Sequence, residues 1–246
     1  MEFIINKNLF CKKLQIVSKA VTSKTNLPAL TGLLFEAIDS KLIITGSNGE
    51  YSIKVTIDDP MLQVITPGKM LVEGRFINDR ARKSNGEEIR IATSEDNTTI
   101  LFNSGSSNAD YALLDVEDFP EISFPTQSSP IKMSASMMKD IVKQTAFATT
   151  FNTSKQILMG VNFKISGSTL QCVATDSYRL SRKNTNLDFG YADTSIIIPA
   201  KSLTEFVKIL DDDFALVELY FSLGRIVFKI WPLQSFGTLN NRATEE

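Results

Sequence analysis

The 246-residue sequence contains no histidine. That absence removes imidazole general bases, Ser-His-Asp triads and HExxH zinc sites together. Cysteine occurs only at Cys11 and Cys172, with no Cys-x-x-Cys spacing. Two such thiols build no disulfide framework, and a reducing compartment is their natural setting. No apolar run approaches the roughly 20 residues needed to span a bilayer, and the opening Met-Glu-Phe-Ile-Ile-Asn-Lys lacks the basic-then-apolar profile of a secretion signal. A cytoplasmic protein with no membrane partner is expected. Neither G-x-x-x-x-G-K-[ST] nor G-x-G-x-x-G occurs, so the common phosphate-cradling loops are missing. An excess of positive charge is missing too: 26 Lys and Arg against 28 Asp and Glu leave a formal charge of −2. This argues against coating DNA or an anionic membrane by bulk attraction, while leaving room for a local basic surface.

What remains is the composition of a soluble globular protein, 43% hydrophobic and 22% charged, long enough for one large domain or two ordinary ones. Ser136-Met137-Met138-Lys139 matches S-x-x-K by spacing, but its companion motifs are lacking and Ser136 reads better as a helix N-cap. Asp58-Asp59 and Asp211-Asp212-Asp213 could attract a divalent ion; the second run reads as a solvated turn. A carboxylate or metal enzyme therefore has no motif behind it, and no catalytic residue, metal or cofactor is expected.

In chain order, residues 3–5 read as a short strand. Asn8 then caps a helix with Phe10, Leu14, Val17 and Val21 on one face, broken at Leu27-Pro28. Strand-like runs follow at 32–37, 41–45 and 51–57, with turns at Asp39-Ser40 and Asn48-Gly49. A second helix is predicted over 69–82, with Gly74 inside it, then strands at 88–92, 99–103 and 109–114. The Pro- and Ser-rich segment 117–130 reads as a linker. Beyond it the pattern returns. A shift of 128 residues lays Leu30, Gly32, Phe35, Ser40 and Leu42 onto Leu158, Gly160, Phe163, Ser168 and Leu170, and Phe10, Leu14 and Val17 onto Met138, Val142 and Thr145. A shift of 132 lays Pro67-Gly68-Lys69 onto Pro199-Ala200-Lys201. The expected class is α+β, as two tandem copies of one unit, each with two helices packed on antiparallel sheets: residues 1–120, a linker at 121–130, residues 131–231, and a divergent polar tail at 232–246.

Each predicted helix carries a basic pair on one face: Lys12 and Lys19, Arg75 and Arg82, Lys139 and Lys143, Lys201 and Lys208. A solvated face looks similar, so a single pair says little. Four pairs in an acidic chain favour a shared surface for a polyanion, touched through phosphates and so independent of base sequence and sensitive to salt.

The turn between two strand-like runs at residues 172–182, Cys-Val-Ala-Thr-Asp-Ser-Tyr-Arg-Leu-Ser-Arg, is the best fingerprint in the chain. Together with Leu27-Pro28-Ala29-Leu30, Gly32-Leu33-Leu34-Phe35, Ser104-Gly105, Asp118-Phe119-Pro120 and Ile198-Pro199-x-Lys201, it resembles the bacterial DNA polymerase III β subunits, the sliding clamps, from residue 1 to about 230. The resemblance implies the DNA clamp fold and a non-catalytic processivity factor of DNA replication. Such a factor encircles double-stranded DNA as a head-to-tail ring dimer and tethers the DNA polymerase III α subunit, the clamp loader and other proteins that carry a clamp-binding motif. By position it implies DNA contacts at Lys24, Arg75, Arg82, Asn152, Lys155 and, less directly, Lys201. It implies a cleft for partner peptides walled by Leu158, Thr175, Ser177, Tyr178, Arg179 and Leu180, apolar pockets rimmed by polar groups.

The sequence departs from the family at several points. Ser177-Tyr178 replaces a more usual Gly-His or Gly-Tyr, Ala200 stands where a basic residue is common, and residues 104–108 lack the basic residues often found there. The family has three domains and this chain shows two. After Ile230 the pattern is lost, so the last strand of the second unit is expected to be missing, with Pro232 ending the order. A truncated or frameshifted clamp gene is the explanation that fits these features. The rival to a working clamp is a non-ring remnant or decoy that binds clamp partners without encircling DNA. On this reading no stable closed ring is expected.

Overall fold

The computed structural model describes residues 1–22, 25–151, 154–222, 225–231 and 235–240. Lys24 and Asn152 lie outside the described residues. The chain divides into unit 1, Met1–Ser123, and unit 2, Phe124–Glu246.

Unit 1 runs β1 (Glu2–Asn6), α1 (Lys7–Val17), β2 (Gly32–Ile38), β3 (Lys41–Ser47), β4 (Tyr51–Ile57), β5 (Leu62–Thr66), β6 (Gly68–Glu73), α2 (Gly74–Lys83), β7 (Glu88–Thr93), β8 (Thr99–Ser104) and β9 (Ser107–Ala112). Unit 2 runs β10 (Ile131–Ser134), α3 (Ala135–Thr145), β11 (Gly160–Thr175), β12 (Leu180–Pro199), α4 (Ala200–Val207), β13 (Leu216–Ser222), β14 (Arg225–Trp231) and β15 (Ser235–Asn240). Single 3-10 turns at Ser18–Ala20, Pro28–Thr31, Ala146–Ala148 and Gln156–Met159 link helix to strand.

In unit 1 the strands order as β5-β1-β7-β8-β9 and as β4-β3-β2-β6; in unit 2 as β10-β13-β14-β15, beside the long hairpin β11-β12. Every pairing within a unit is antiparallel. The helices bury one stripe each. Phe10, Leu14 and Val17 of α1 are fully buried, and Phe10 meets Phe3 and Phe35 with ring centroids 6.1 and 6.2 Å apart. In unit 2, Met138 and Ile141 of α3 and Leu203 of α4 are fully buried, and Phe206 lies 4.2 Å from Phe228, centroid to centroid. The 128-residue repeat holds at atomic detail for core positions: Phe35 and Phe163, and Leu42 and Leu170, are all fully buried. Thr145, standing where unit 1 has Val17, is also buried, and its hydroxyl donates to Ile141 O at 2.7 Å, which satisfies the extra polar group.

Three sequence expectations are corrected. The predicted helix over 69–82 starts only at Gly74, because Met70, Leu71 and Val72 are all buried and pair with β2, a pattern suited to a two-sided strand and not to a helix. Gly74 is therefore the first helical residue, where a Cβ would meet Thr31 O at 3.3 Å. The helix caps also move. Asn6, not Asn8, caps α1 by accepting from the Asn8 and Leu9 amides, and Ser134, not Ser136, caps α3 by accepting from Met137 N. Finally, unit 2 does not lose its last strand. Pro232 does follow the last residue of β14, yet β15 forms beyond it and pairs with β14 from Arg225 opposite Asn240 to Ile230 opposite Ser235. Its bounds match β9 at the 128-residue shift. A proline stops one strand, but the chain is free to turn and resume pairing.

Candidate functional site

The second helix of each unit begins alike. Glu73 precedes α2 with φ −54° and ψ 121°, and Pro199 precedes α4 with φ −53° and ψ 126°. These caps set the true correspondence at 126 residues, so Pro199-Ala200-Lys201 matches Glu73-Gly74-Arg75 and not Pro67-Gly68-Lys69. Lys201 thereby becomes the counterpart of Arg75, and Lys208 that of Arg82. The ion pairs repeat as well: Arg82 Nη2 lies 3.1 Å from Asp79 Oδ1, and Lys208 Nζ lies 2.7 Å from Glu205 Oε1. Arg75, Arg82, Lys201 and Lys208 are all exposed, with the buried stripes of Ile77 and Ala81, and of Leu203 and Phe206, on the opposite sides. Such exposed i,i+3 pairs contribute about 0–1 kcal/mol, so they yield readily to a phosphate.

The first helices do not share this order. Lys19 lies past the end of α1, in a 3-10 turn, and Lys139 is held by Asp213 at 2.6 Å. Lys12 and Lys143 are exposed but fall at non-matching positions of the repeat. The expected set of four equivalent basic pairs thus reduces to two, one on α2 and one on α4 with its C-cap. Lys155 is exposed at the start of the 3-10 turn Gln156–Met159.

The fingerprint turn at residues 175–179 is built by side chains that replace backbone partners. Asp176 Oδ1 accepts from the amides of Tyr178 and Arg179, both at 3.0 Å, while Thr175 Oγ1 accepts from Ser177 N at 3.2 Å and donates to Arg179 O at 2.7 Å. The backbone amides of Arg179 and Tyr178 hold the Asp176 carboxyl below the usual carboxylate range, with help from the Arg179 side chain. Arg179 then reaches out: Nε is 2.9 Å from Asp176 Oδ2, Nη2 donates to Phe147 O at 2.7 Å, and the guanidinium lies 5.5 Å from the Phe147 ring centre. The surrounding surface is apolar and open. Tyr178 is 98% exposed, and Phe147, Ile157 and Leu180 are exposed too, beside half-buried Leu158 and Thr175. Leu158 is fixed by its own amide on Lys155 O at 3.0 Å. Of the six expected cleft residues, all are described, and they sit on the hairpin turn and the 3-10 turn of unit 2.

Unit 1 carries the same turn. Asn48 Oδ1 accepts from the Glu50 and Tyr51 amides, Ser47 Oγ accepts from Gly49 N and donates to Tyr51 O, and the Tyr51 hydroxyl donates to Lys19 O at 2.6 Å, as Arg179 does to Phe147 O. The turn chemistry of the second copy is therefore present in the first with different side chains. Gly49 has φ +85°, and its counterpart Ser177 has φ +78°. A non-glycine residue is strained there. Replacing Ser177 by Gly should raise the stability of unit 2 by about 0.5 kcal/mol, the strain relief being partly offset by unfolded-state entropy. An unchanged or lower urea midpoint would refute that expectation.

Cys172 is buried beneath the turn, and burial pushes its thiol up to about 12, which leaves no reactive thiolate. Asp212 and Asp213 shape the turn before β13, with Asp212 Oδ1 accepting from Phe214 N. Among the described residues no helix is long and apolar enough to cross a membrane.

The model of the DNA polymerase III beta subunit N-terminal domain matches residues 1–123, and that of the central domain matches residues 132–240. The chain belongs to the DNA polymerase III beta subunit family. Beta sliding clamps of Staphylococcus epidermidis and Staphylococcus aureus are 32% and 31% identical to it over 235 residues, covering 94% of this chain and 62% of theirs. The crystal structure of the DNA polymerase sliding clamp from Bacillus subtilis superposes with a TM-score of 0.94 at 29% identity, covering 100% of this chain and 66% of that one. The fold is that of the sliding clamp. The chain spans a little under two thirds of the length of these relatives. The 3-10 turn at residues 28–31, the strand β6 and the strand β15 fall within the matched regions.

Proposed function

We propose that this chain acts as a sliding-clamp processivity component of DNA replication, holding double-stranded DNA through phosphates and partner proteins through peptides. The observation that carries the DNA reading is the placement of Arg75 and Arg82 on α2, and of Lys201 on α4 and Lys208 at its C-cap, at matching positions. A repeated pair of exposed cations, in a chain of net charge −2, is selective placement and not bulk charge. Lys155 adds a further exposed cation, and Lys24 and Asn152 complete the proposed contact set. Point-charge contact to phosphate without base readout leaves a duplex free to slide.

For partner proteins, Leu158, Thr175, Ser177, Tyr178, Arg179 and Leu180 supply an apolar floor with polar rims, the chemistry that seats an extended peptide carrying a bulky anchor. The polymerase α subunit and the clamp loader are the partners this reading names. The chain does no chemistry itself in this role: its function is tethering, and its benefit is the high effective concentration of a bound polymerase at the template.

The presence of β15 removes one of the two reasons for expecting that no ring could close, the missing strand, and leaves the other, two domains where the family has three. Retention on nicked circular DNA, measured together with solution mass, tests the reading. Retention that disappears on linearisation supports encirclement. Equal, salt-sensitive retention on circular and linear DNA would reduce the protein to a phosphate binder, and peptide binding without DNA retention would favour the decoy.

A further inference from the structure

One contact of unit 1 has no counterpart among the described residues of unit 2. In unit 1 the chain after β9 folds back on the sheet edge: Leu114 N donates to Leu71 O at 2.9 Å, Asp115 Oδ1 accepts from Glu117 N at 2.9 Å, and Phe119 N donates to Val116 O at 3.1 Å. This knuckle seats Phe119 against Ala29, Leu30 and Leu71, with Leu114, Val116 and Ile122 packed around it. Leu30 is left 4% exposed and Leu71 fully buried. At the repeat shifts, the counterparts of Ala29, Leu30 and Leu71 in unit 2 are Ile157, Leu158 and Ile197. Ile157 is 63% exposed, and Leu158 and Ile197 are half-buried. The floors correspond. A Cβ on Gly32 would meet the Leu71 side chain at 2.8 Å, and one on Gly160 would meet the Ile197 side chain at 2.5 Å. Each unit keeps a glycine under the same apolar wall, and each is flanked by the same hydrogen-bonded turn.

We propose that the surface around Leu30 and Leu71 is a second peptide-docking groove of the same kind as the one around Leu158, and that residues 114–122 occupy it in cis. The inference rests on reading the Leu158 surface as a peptide site. The ligand class follows from the occupant: a short segment that offers one backbone amide to a strand edge and bulky apolar anchors, interspersed with carboxylates such as Asp115, Glu117, Asp118 and Glu121. A tethered occupant competes at millimolar effective concentration, so an external peptide enters only when the anchor is weakened. Unit 1 therefore holds its groove closed.

The test uses the full chain and a fluorescein-labelled synthetic peptide of residues 114–123. Phe119→Ala is expected to bind this peptide at least about tenfold more tightly than the unaltered chain, with new amide-exchange protection at residues 29–34 and 69–72. If the variant shows no gain while residues 155–162 are protected in both proteins, the closed groove is overturned and the Leu158 reading stands. If residues 155–162 are protected in neither, the reading beneath the inference falls. A measurement on the unaltered chain covers the case in which the variant does not fold: the Leu114 and Phe119 amides should exchange at least about 100-fold faster than the core amides of β2, because the seat opens without unfolding. Exchange at the core rate would overturn the proposal.

Discussion

Alanine in place of Glu218 should destabilise unit 2 by about 3 kcal/mol, the range for breaking one partner out of a buried hydrogen-bonded charge network. Glu218 lies on β13, 7% exposed. Its Oε2 accepts from the Tyr220 hydroxyl at 2.8 Å and from Trp231 Nε1 at 2.9 Å, and Lys132 Nζ stands 3.5 Å from Oε1. Burial alone would disfavour the carboxylate. The hydrogen bonds from Trp231 and Tyr220 and the charge of Lys132 outweigh burial and hold the carboxyl below its usual range, while burial and the neighbouring carboxylate push the Tyr220 phenol up to about 12. Removing the carboxylate leaves two donors and a cation without their acceptor. Because the folded value is depressed, the stabilisation is fully present above the ordinary carboxyl value and is lost as pH falls through the folded one. Trp231 is the single tryptophan of the chain and bonds directly to Glu218, so its emission reports the site. The acid limb of Trp231-monitored unfolding should be steep in the unaltered chain and flattened in Glu218→Gln. An alanine variant with an unchanged denaturant midpoint would show that the network contributes nothing net.

The second large effect is on DNA. Changing Arg75, Arg82, Lys201 and Lys208 together to alanine should lower the slope of log K against log salt by roughly 3 to 4, which at low salt amounts to at least two orders of magnitude in affinity. All four side chains are exposed, and the ion pairs Arg82–Asp79 and Lys208–Glu205 are local i,i+3 contacts, so folding should be little affected. Changing Lys12 and Lys143, which share no position in the repeat, should cost less than either matched pair. Equal losses from both sets would mean that net charge, and not placement on α2 and α4, governs binding. Filter binding across a salt series on linear duplex separates the two, since it removes topology from the measurement.

Much of this architecture is legible in the residues themselves. The 128-residue repeat is visible because core volume is conserved in kind at Phe35 and Phe163, or Leu42 and Leu170, which occupy the same buried sites. The turn at 175–179 is visible because Thr and Asp make its hydrogen bonds locally, within four residues. The matched bases were visible as pairs on helices, but their correspondence was not. That required the start of α2, and a run such as Lys-Met-Leu-Val-Glu carries no local preference strong enough to choose helix over strand.

Sequence alone therefore determined the family fingerprint, the duplicated unit and its local turns, where the deciding interactions lie a few residues apart. Only the tertiary structure decided that Met70, Leu71 and Val72 form a strand, since their partner β2 lies more than 30 residues away in the chain. Only it restored β15, which forms by pairing with β14 although Pro232 stands between the two in sequence. It also distinguished the two apolar surfaces that the repeat makes alike. Nothing near Leu30 or Leu158 in sequence says that Phe119 covers the first, because burial depends on which distant segment arrives there.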